Sequence, residues 1–248
     1  QNVNKAKEEK TQVEACVAYM RMNMDIHVTE DELYNVAAMK VAIETMAKKY
    51  GCNAAVIQCW NALQDELGIM PCCANSLLFD EGFPVVCETD IHGAITSLLI
   101  QAAGMDEHPV FFADWTVRHP TNDNAELLQH CGPWPLSLAK ERPQLTYPLA
   151  FDYPGAVAAE CKHGNVTLCR FDGDNGEYSL LLGTAKGIDG PYTKGTYLWV
   201  EAKNWKKLEA KIVEGPYIHH CAGIHGDVVA RLYEACKYIG VKPDLYDD

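Results

Sequence analysis

The sequence predicts an α/β protein: a partial Rossmann-like parallel α/β layer followed by a mostly antiparallel, β-barrel-like C-terminal domain closed by a helix. Three observations predict it. Up to about residue 105, apolar strand and helix segments alternate, the rhythm of a parallel layer. Beyond Gly104 the apolar segments become short and are separated by Gly, Pro, Asn and Asp, as in an antiparallel barrel or sandwich. A helical period returns only at about 224–239. The expected domains are therefore 1–105 and 106–248.

Two helices open the chain, at roughly 4–22 and 30–50. The second begins at a capping box, Thr29 with Glu32 three residues on, and ends at Gly51 behind Lys48 and Lys49. "NAAVIQCW" then reads as a short buried strand, "NALQDELG" as a helical turn or two and "FPVVCE" as a second buried strand. In "TDIHGAITSLLIQAAG", Ile91, Ala94, Ile95, Leu98, Leu99 and Ala102 share one helical stripe. The strand segments of the second part are "HPVFFADW", "AELLQHC", "AVAAEC", "NVTLCRF", "EYSLLLGTA", "GTYLWVEA" and "EAKIVEG", and Asn175-Gly176 predicts a tight hairpin turn. "GTAKGIDG" does not follow a strand and open a helix, so it reads as a loop and not a phosphate cradle.

A net charge of −13 excludes a nucleic-acid backbone or an anionic membrane as partner, since both would be repelled. No apolar run approaches the ~20 residues of a transmembrane helix. Eleven cysteines without a C-x-x-C pair, most of them in apolar runs, imply reduced and buried thiols and a cytoplasmic protein, and they exclude a zinc ribbon. "DGDNGE" lacks the downstream glutamate of a calcium loop and fits a hairpin better.

The candidate chemistry lies at strand ends. Glu88 ends the apolar run "FPVVC" and Asp114 ends "HPVFFA". A carboxylate there needs a cavity, a cation or good hydrogen bonds, because an isolated buried charge is costly. The alternatives are a helix N-terminus for Glu88 and a turn for Asp114. Glu88 and His92 are four residues apart, a weak pair. His130 closes "AELLQH", as a core residue or a ligand. His219 and His220 continue an extended segment, so their side chains are expected on opposite faces, with at most one in a metal's ligand shell. Two carboxylates with imidazoles make a mixed O/N set suited to Mn²⁺, Co²⁺ or a similar divalent ion. Gln58 and Trp60 or Trp115 are candidates to line a ligand pocket, on position alone.

Taken in order, "CETDIHGAITSLLIQAAG", "PVFFADW", "LLQHCG", "GNVTLCRF" and "GPYIHHCAGIHGD" resemble the C-terminal half of the L-fucose isomerase and L-arabinose isomerase superfamily. Glu88 and Asp114 lie 26 residues apart, and Asp114 and His130 lie 16 apart, both close to the family's separations. The resemblance implies an aldose-ketose isomerase using Mn²⁺, or another divalent cation such as Co²⁺ or Mg²⁺. Glu88 and Asp114 match the acid/base pair that also binds the metal. His220 matches the late metal-binding histidine, His219 a substrate-contacting position, and His130 an additional ligand of the arabinose isomerase branch; Gln58 joins as a substrate contact.

Family members are about twice this long. The resemblance therefore implies an N-terminal half that is removed, carried on a separate chain or dispensed with, and a chain inactive without it. It also implies a small-molecule sugar substrate and a homo-oligomer, a trimer or hexamer, with each active site completed by a neighbouring subunit. The rival readings are a metal-dependent sugar lyase or epimerase on the same scaffold, and a non-catalytic sugar-binding subunit.

Overall fold

A computed structural model describes residues 1–150 and 152–246. In chain order the elements are α1 (Asn2–Ala6), α2 (Lys10–Asn23), β1 (Asp25–Ile26), α3 (Glu30–Tyr50), β2 (Ala55–Val56), α4 (Ala62–Leu67), α5 (Cys72–Asp80), β3 (Val85–Val86) and α6 (Ile91–Ala103). There follow β4 (Val110–Arg118), β5 (Ala125–His130), a 3₁₀ turn (Leu136–Leu138), β6 (Gln144–Thr146), β7 (Ala156–Glu160), β8 (Asn165–Asp174) and β9 (Glu177–Ile188). The chain ends with β10 (Thr196–Ala202), α7 (Trp205–Glu214), β11 (His220–His225), α8 (Val229–Ile239) and β12 (Lys242–Leu245). These form two compact units. The first comprises Gln1–Asp90, Cys131–Cys161 and Thr193–Thr196; the second comprises Ile91–His130, Lys162–Tyr192 and Tyr197–Asp248.

The first unit is built around α3. Thr29 caps it reciprocally with Glu32, the Thr29 N–H donating to Glu32 Oε2 at 2.7 Å, and Gly51 ends it in the left-handed region at φ 63°. Val36 to Ala42 are all buried, so this stretch is enclosed on every side, unlike an amphipathic surface helix. Lys40 survives there because Glu44 and Glu81 hold its ammonium at 2.7 and 2.8 Å. Met20 and Met24 at the end of α2, Leu77 of α5, Leu145 and Val157 complete this core. The first helix expected at 4–22 is two helices, α1 and α2, broken at residues 7–9. The α5 segment had no sequence assignment, yet every residue from Cys72 to Phe79 is buried. The expected parallel layer reduces to one two-stranded parallel sheet, Ala55 beside Val85 and Val56 beside Val86. A further parallel pair, β1 with β6, extends by antiparallel β7.

The second unit is a closed six-stranded barrel in the order β10-β5-β4-β11-β8-β9, with β10 returning to β9. The β9 edge is shared: residues 185–188 pair with β10 and residues 179–182 with β12. The β8–β9 hairpin turns at Asn175 and Gly176, φ 52° and 85°, the pair of positive angles that a tight two-residue turn demands. Helix α6 lies across β4, β11 and β8. It buries Gly93, Ala94, Thr96, Ser97 and Ile100, and leaves Ile91 61% exposed, so the predicted apolar stripe is not its packed face. The two hydroxyls can face inward because Thr96 and Ser97 donate to the carbonyls of His92 and Gly93 within the helix.

Three further expectations are corrected. "EAKIVEG" belongs to helix α7: Asn204 accepts from the Lys207 N–H as its cap, and Trp205 and Leu208, three apart, bury one face, outweighing the β-branched Ile-Val pair. "GTAKGIDG" is mostly strand β9. The last helix starts at Val229 and not at 224, so His225 closes β11. None of the eleven cysteines forms a disulfide, and only Cys52 is exposed. No described helix is long and apolar enough to cross a membrane.

Gly223 of β11 sits directly opposite Phe111 of β4, and a Cβ there would meet the Phe111 ring at 2.1 Å and Leu168 at 2.8 Å. Gly223→Ala is therefore expected to destabilise the protein by about 1–3 kcal/mol through overpacking, measured by urea unfolding. A titration test comes from Glu126 of β5. Its side chain is buried, one carboxylate oxygen accepts no hydrogen bond among the described residues, and burial pushes its carboxyl up to about 7. The folded state thus favours the protonated acid, so stability is fullest below the ordinary value near 4.5 and is lost as pH rises through 7. Glu126→Gln is expected to be more stable than the parent at pH 8 by roughly 1–3 kcal/mol and to match it near pH 4.

Candidate functional site

In the second unit, β11 and β4 run antiparallel with His220 paired to Asp114. The ladder continues one step further, the Trp115 N–H donating to the His219 carbonyl at 2.9 Å. Asp114 is thus fixed within a strand and does not begin a turn. His130, the last residue of β5, comes in from the other neighbour of β4. Asp114 Oδ1 faces two imidazole nitrogens, His220 Nε2 at 3.4 Å and His130 Nε2 at 3.8 Å. That oxygen is buried and accepts no hydrogen bond among the described residues.

These separations exceed the 2.7–3.2 Å of a well-formed N–H···O bond. They resemble the spacing between neighbouring donor atoms on one ion, roughly 3–3.5 Å for bonds of about 2.0–2.2 Å. A buried carboxylate oxygen without a donor is costly unless a cation or proton compensates it. Phe112, fully buried, packs against both rings, with centroids 4.9 Å from His220 and 6.1 Å from His130, and supplies an apolar wall.

His219 joins the same group. One ligand atom from each of Asp114, His219 and His220 lies within 4.8 Å of the others, and the two adjacent rings are 4.4 Å apart. The alternation expected of a strand does not separate them, because β11 begins only at His220. His219 is exposed where His220 is buried, which leaves it on the open side of the cluster. His225 stands elsewhere, at the far end of β11, with Nε2 donating to the Lys162 carbonyl at 2.9 Å. Burial pushes its pKa down.

Glu88 and Gln58 belong to the first unit, just beyond the C-terminal ends of the parallel strands β3 and β2. That edge is where ligands bind in open parallel sheets. Glu88 is exposed, and its Oε1 accepts from the Trp60 indole N–H at 3.1 Å. Its backbone is unusual: Glu88 and Thr89 have φ of 61° and 57°, two successive non-glycine residues in the left-handed region. Strain of this kind, of order 1–3 kcal/mol per residue, clusters at functional positions.

Sequence reasoning missed one constellation. His92 Nδ1 lies 2.8 Å from Asp172 Oδ1. Asp172 Oδ2 in turn takes Nε and Nη2 of Arg170 at 3.1 and 3.0 Å, and both residues are buried. The available signal was the pair of charges in "NVTLCRFDGD", set inside an otherwise apolar strand.

Residues 128–246 match the family profile of the L-fucose isomerase C-terminal domain. Over 202 residues the chain is 28% identical to the sulfoquinovose isomerases of Priestia aryabhattai and Priestia megaterium, a match covering 78% of this chain and 44% of each relative. A sulfoquinovose isomerase of Alkalicoccus urumqiensis is 27% identical over 194 residues, covering 73% of this chain and 42% of that protein. The chain therefore spans less than half the length of these curated relatives. The region that carries His130, His219 and His220 is thus similar to the C-terminal domain of L-fucose isomerase.

Proposed function

We propose that this chain is the metal-binding C-terminal part of a cytoplasmic aldose-ketose isomerase. The observation that carries the reading is the buried Asp114 oxygen facing His220 and His130 in a chain whose relatives are named sugar isomerases. Because those relatives are named for sulfoquinovose, that sugar is the first substrate to test. In this reading the β2–β3 pair and its helices are part of a Rossmann-like layer, and a neighbouring subunit completes each active site.

Asp114, His130 and His220, with Glu88, are the proposed ligands. The donor set of carboxylates and imidazoles suits Mn²⁺ or Co²⁺ better than Mg²⁺, which prefers oxygen. When bound, such a cation polarises a carbonyl and stabilises the enediolate that follows proton loss. The chain's own groups do the rest. One carboxylate of the Glu88 and Asp114 pair takes the proton from C2 of the open-chain sugar, that group or its partner returns a proton to C1, and the hydroxyl proton of O2 passes to O1. The strained backbone at Glu88 and the strand register at Asp114 hold the two acids in place. Phe112 excludes water beside the imidazoles, while exposed His219 and Gln58 receive sugar hydroxyls.

In the full-length protein, Glu88→Gln and Asp114→Asn are each expected to lower isomerisation at least 100-fold, followed by NMR in deuterated water as loss of the C2 proton and deuterium entry at C1 of the ketose. Turnover near the parent's in both variants would falsify the assignment. Protein purified without chelator is expected to carry a divalent ion and to lose activity in EDTA, regaining it with Mn²⁺. An active enzyme indifferent to both treatments contradicts the metal reading.

A further inference from the structure

We infer that His92 is a substrate-contacting residue of this same site, its Nε2 receiving a hydrogen bond from a sugar hydroxyl remote from C1 and C2. The inference rests on the isomerase reading above and extends it to the far end of the sugar. It starts from the way His92 is held. Asp172 Oδ1 accepts from His92 Nδ1–H at 2.8 Å and from the Gly173 N–H at 2.9 Å, while Oδ2 takes both Nε and Nη2 of Arg170. The acceptor capacity of a buried carboxylate is thereby spent on one imidazole, one guanidinium and one backbone N–H. Such an arrangement fixes which ring nitrogen carries the proton and aims the other. The His92 ring is also wedged edge-on against Phe171 and Tyr178, centroids 5.4 and 5.9 Å away, and these two rings stack on each other at 5.2 Å.

The aimed nitrogen, Nε2, has no protein partner among the described residues, and the side chain is 32% exposed. A histidine serving packing alone has no need of a buried Arg-Asp pair behind it. Its position is also suitable. β8 runs antiparallel to β11 with Cys169 opposite Ala222, so Phe171 and His220, each two residues further along its strand, lie toward the same end of the pair. The edge-on ring contact to Phe171, with centroids 5.4 Å apart, sets His92 at that end as well. It therefore stands at the same end of the barrel as Asp114 and His220, which are paired there. Tyr178, 41% exposed, offers the apolar ring face that sugar C–H groups pack against.

The test uses the full-length protein with Mn²⁺ and sulfoquinovose. His92→Phe keeps the ring and removes Nε2; it is expected to raise KM at least tenfold with kcat within threefold and Mn²⁺ affinity unchanged. His92→Gln, which restores a polar group near the same place, is expected to recover most of the loss. A KM for His92→Phe within twofold of the parent overturns the inference, as does a fall in kcat or Mn²⁺ affinity without a rise in KM. Should the Phe variant fail to fold, His92→Asn, too short to reach, decides by the same tenfold criterion. A parent protein that exchanges no C2 proton sinks the isomerase reading itself, whereas an active parent with an indifferent His92→Phe sinks only this inference.

Discussion

The second unit is organised around one constraint: the Asp114 carboxylate is held inside a β-ladder, opposite His220, with an oxygen that no donor among the described residues satisfies. A surface aspartate in that position would turn outward to water. Here the register of β4 with β11 prevents it, and Phe112 closes off the apolar side. Closure of the barrel through β10 removes the freedom of any strand to slip, since a slip of one residue would reverse every side chain. Close packing of the Phe111 ring over Gly223, two strands' backbones drawn tightly together, serves the same end. Groups on paired strands keep their mutual distances better than groups on loops, which is what an ion or an open-chain sugar requires.

The two units hold their acids differently. Asp114 is fixed by hydrogen-bonded register, whereas Glu88 is fixed by an unfavourable backbone at the end of β3 with the Trp60 indole on its carboxylate. The first device is rigid by construction. The second stores strain that the α3-centred core must sustain, and the dense packing of Val36 to Ala42 against Met20, Met24 and Leu77 supplies that stability. Behind His92, the Arg170-Asp172 pair repeats the theme, with a charge buried only because every lone pair is used.

Local chemistry made part of this legible in the sequence. The Thr29 and Glu32 capping box, the Gly51 terminus and the Asn175-Gly176 turn each depend on neighbours within four residues, and all formed as expected. The β-rich second part was likewise readable from its short apolar runs. What failed needed longer-range information. Ile212 and Val213 favour a strand, but the Asn204 cap and the packing of Trp205 and Leu208 made helix α7. A strand and helix rhythm predicts a parallel layer, yet among the described residues β2 pairs only with β3. His219 and His220 were assigned to opposite faces by a rule that applies within a strand, and His219 lies just outside one. His92 and Asp172, 80 residues apart, share no pattern that a linear reading detects.

The central claim is that Asp114, His220 and His130 surround a cation. Anomalous diffraction at the manganese edge from crystals of the full-length protein grown with Mn²⁺ tests it most directly. The account predicts a peak bonded to Asp114 Oδ1 and His220 Nε2, with His130 and Glu88 in its shell. A peak elsewhere, or none beside a well-ordered Asp114, would contradict it.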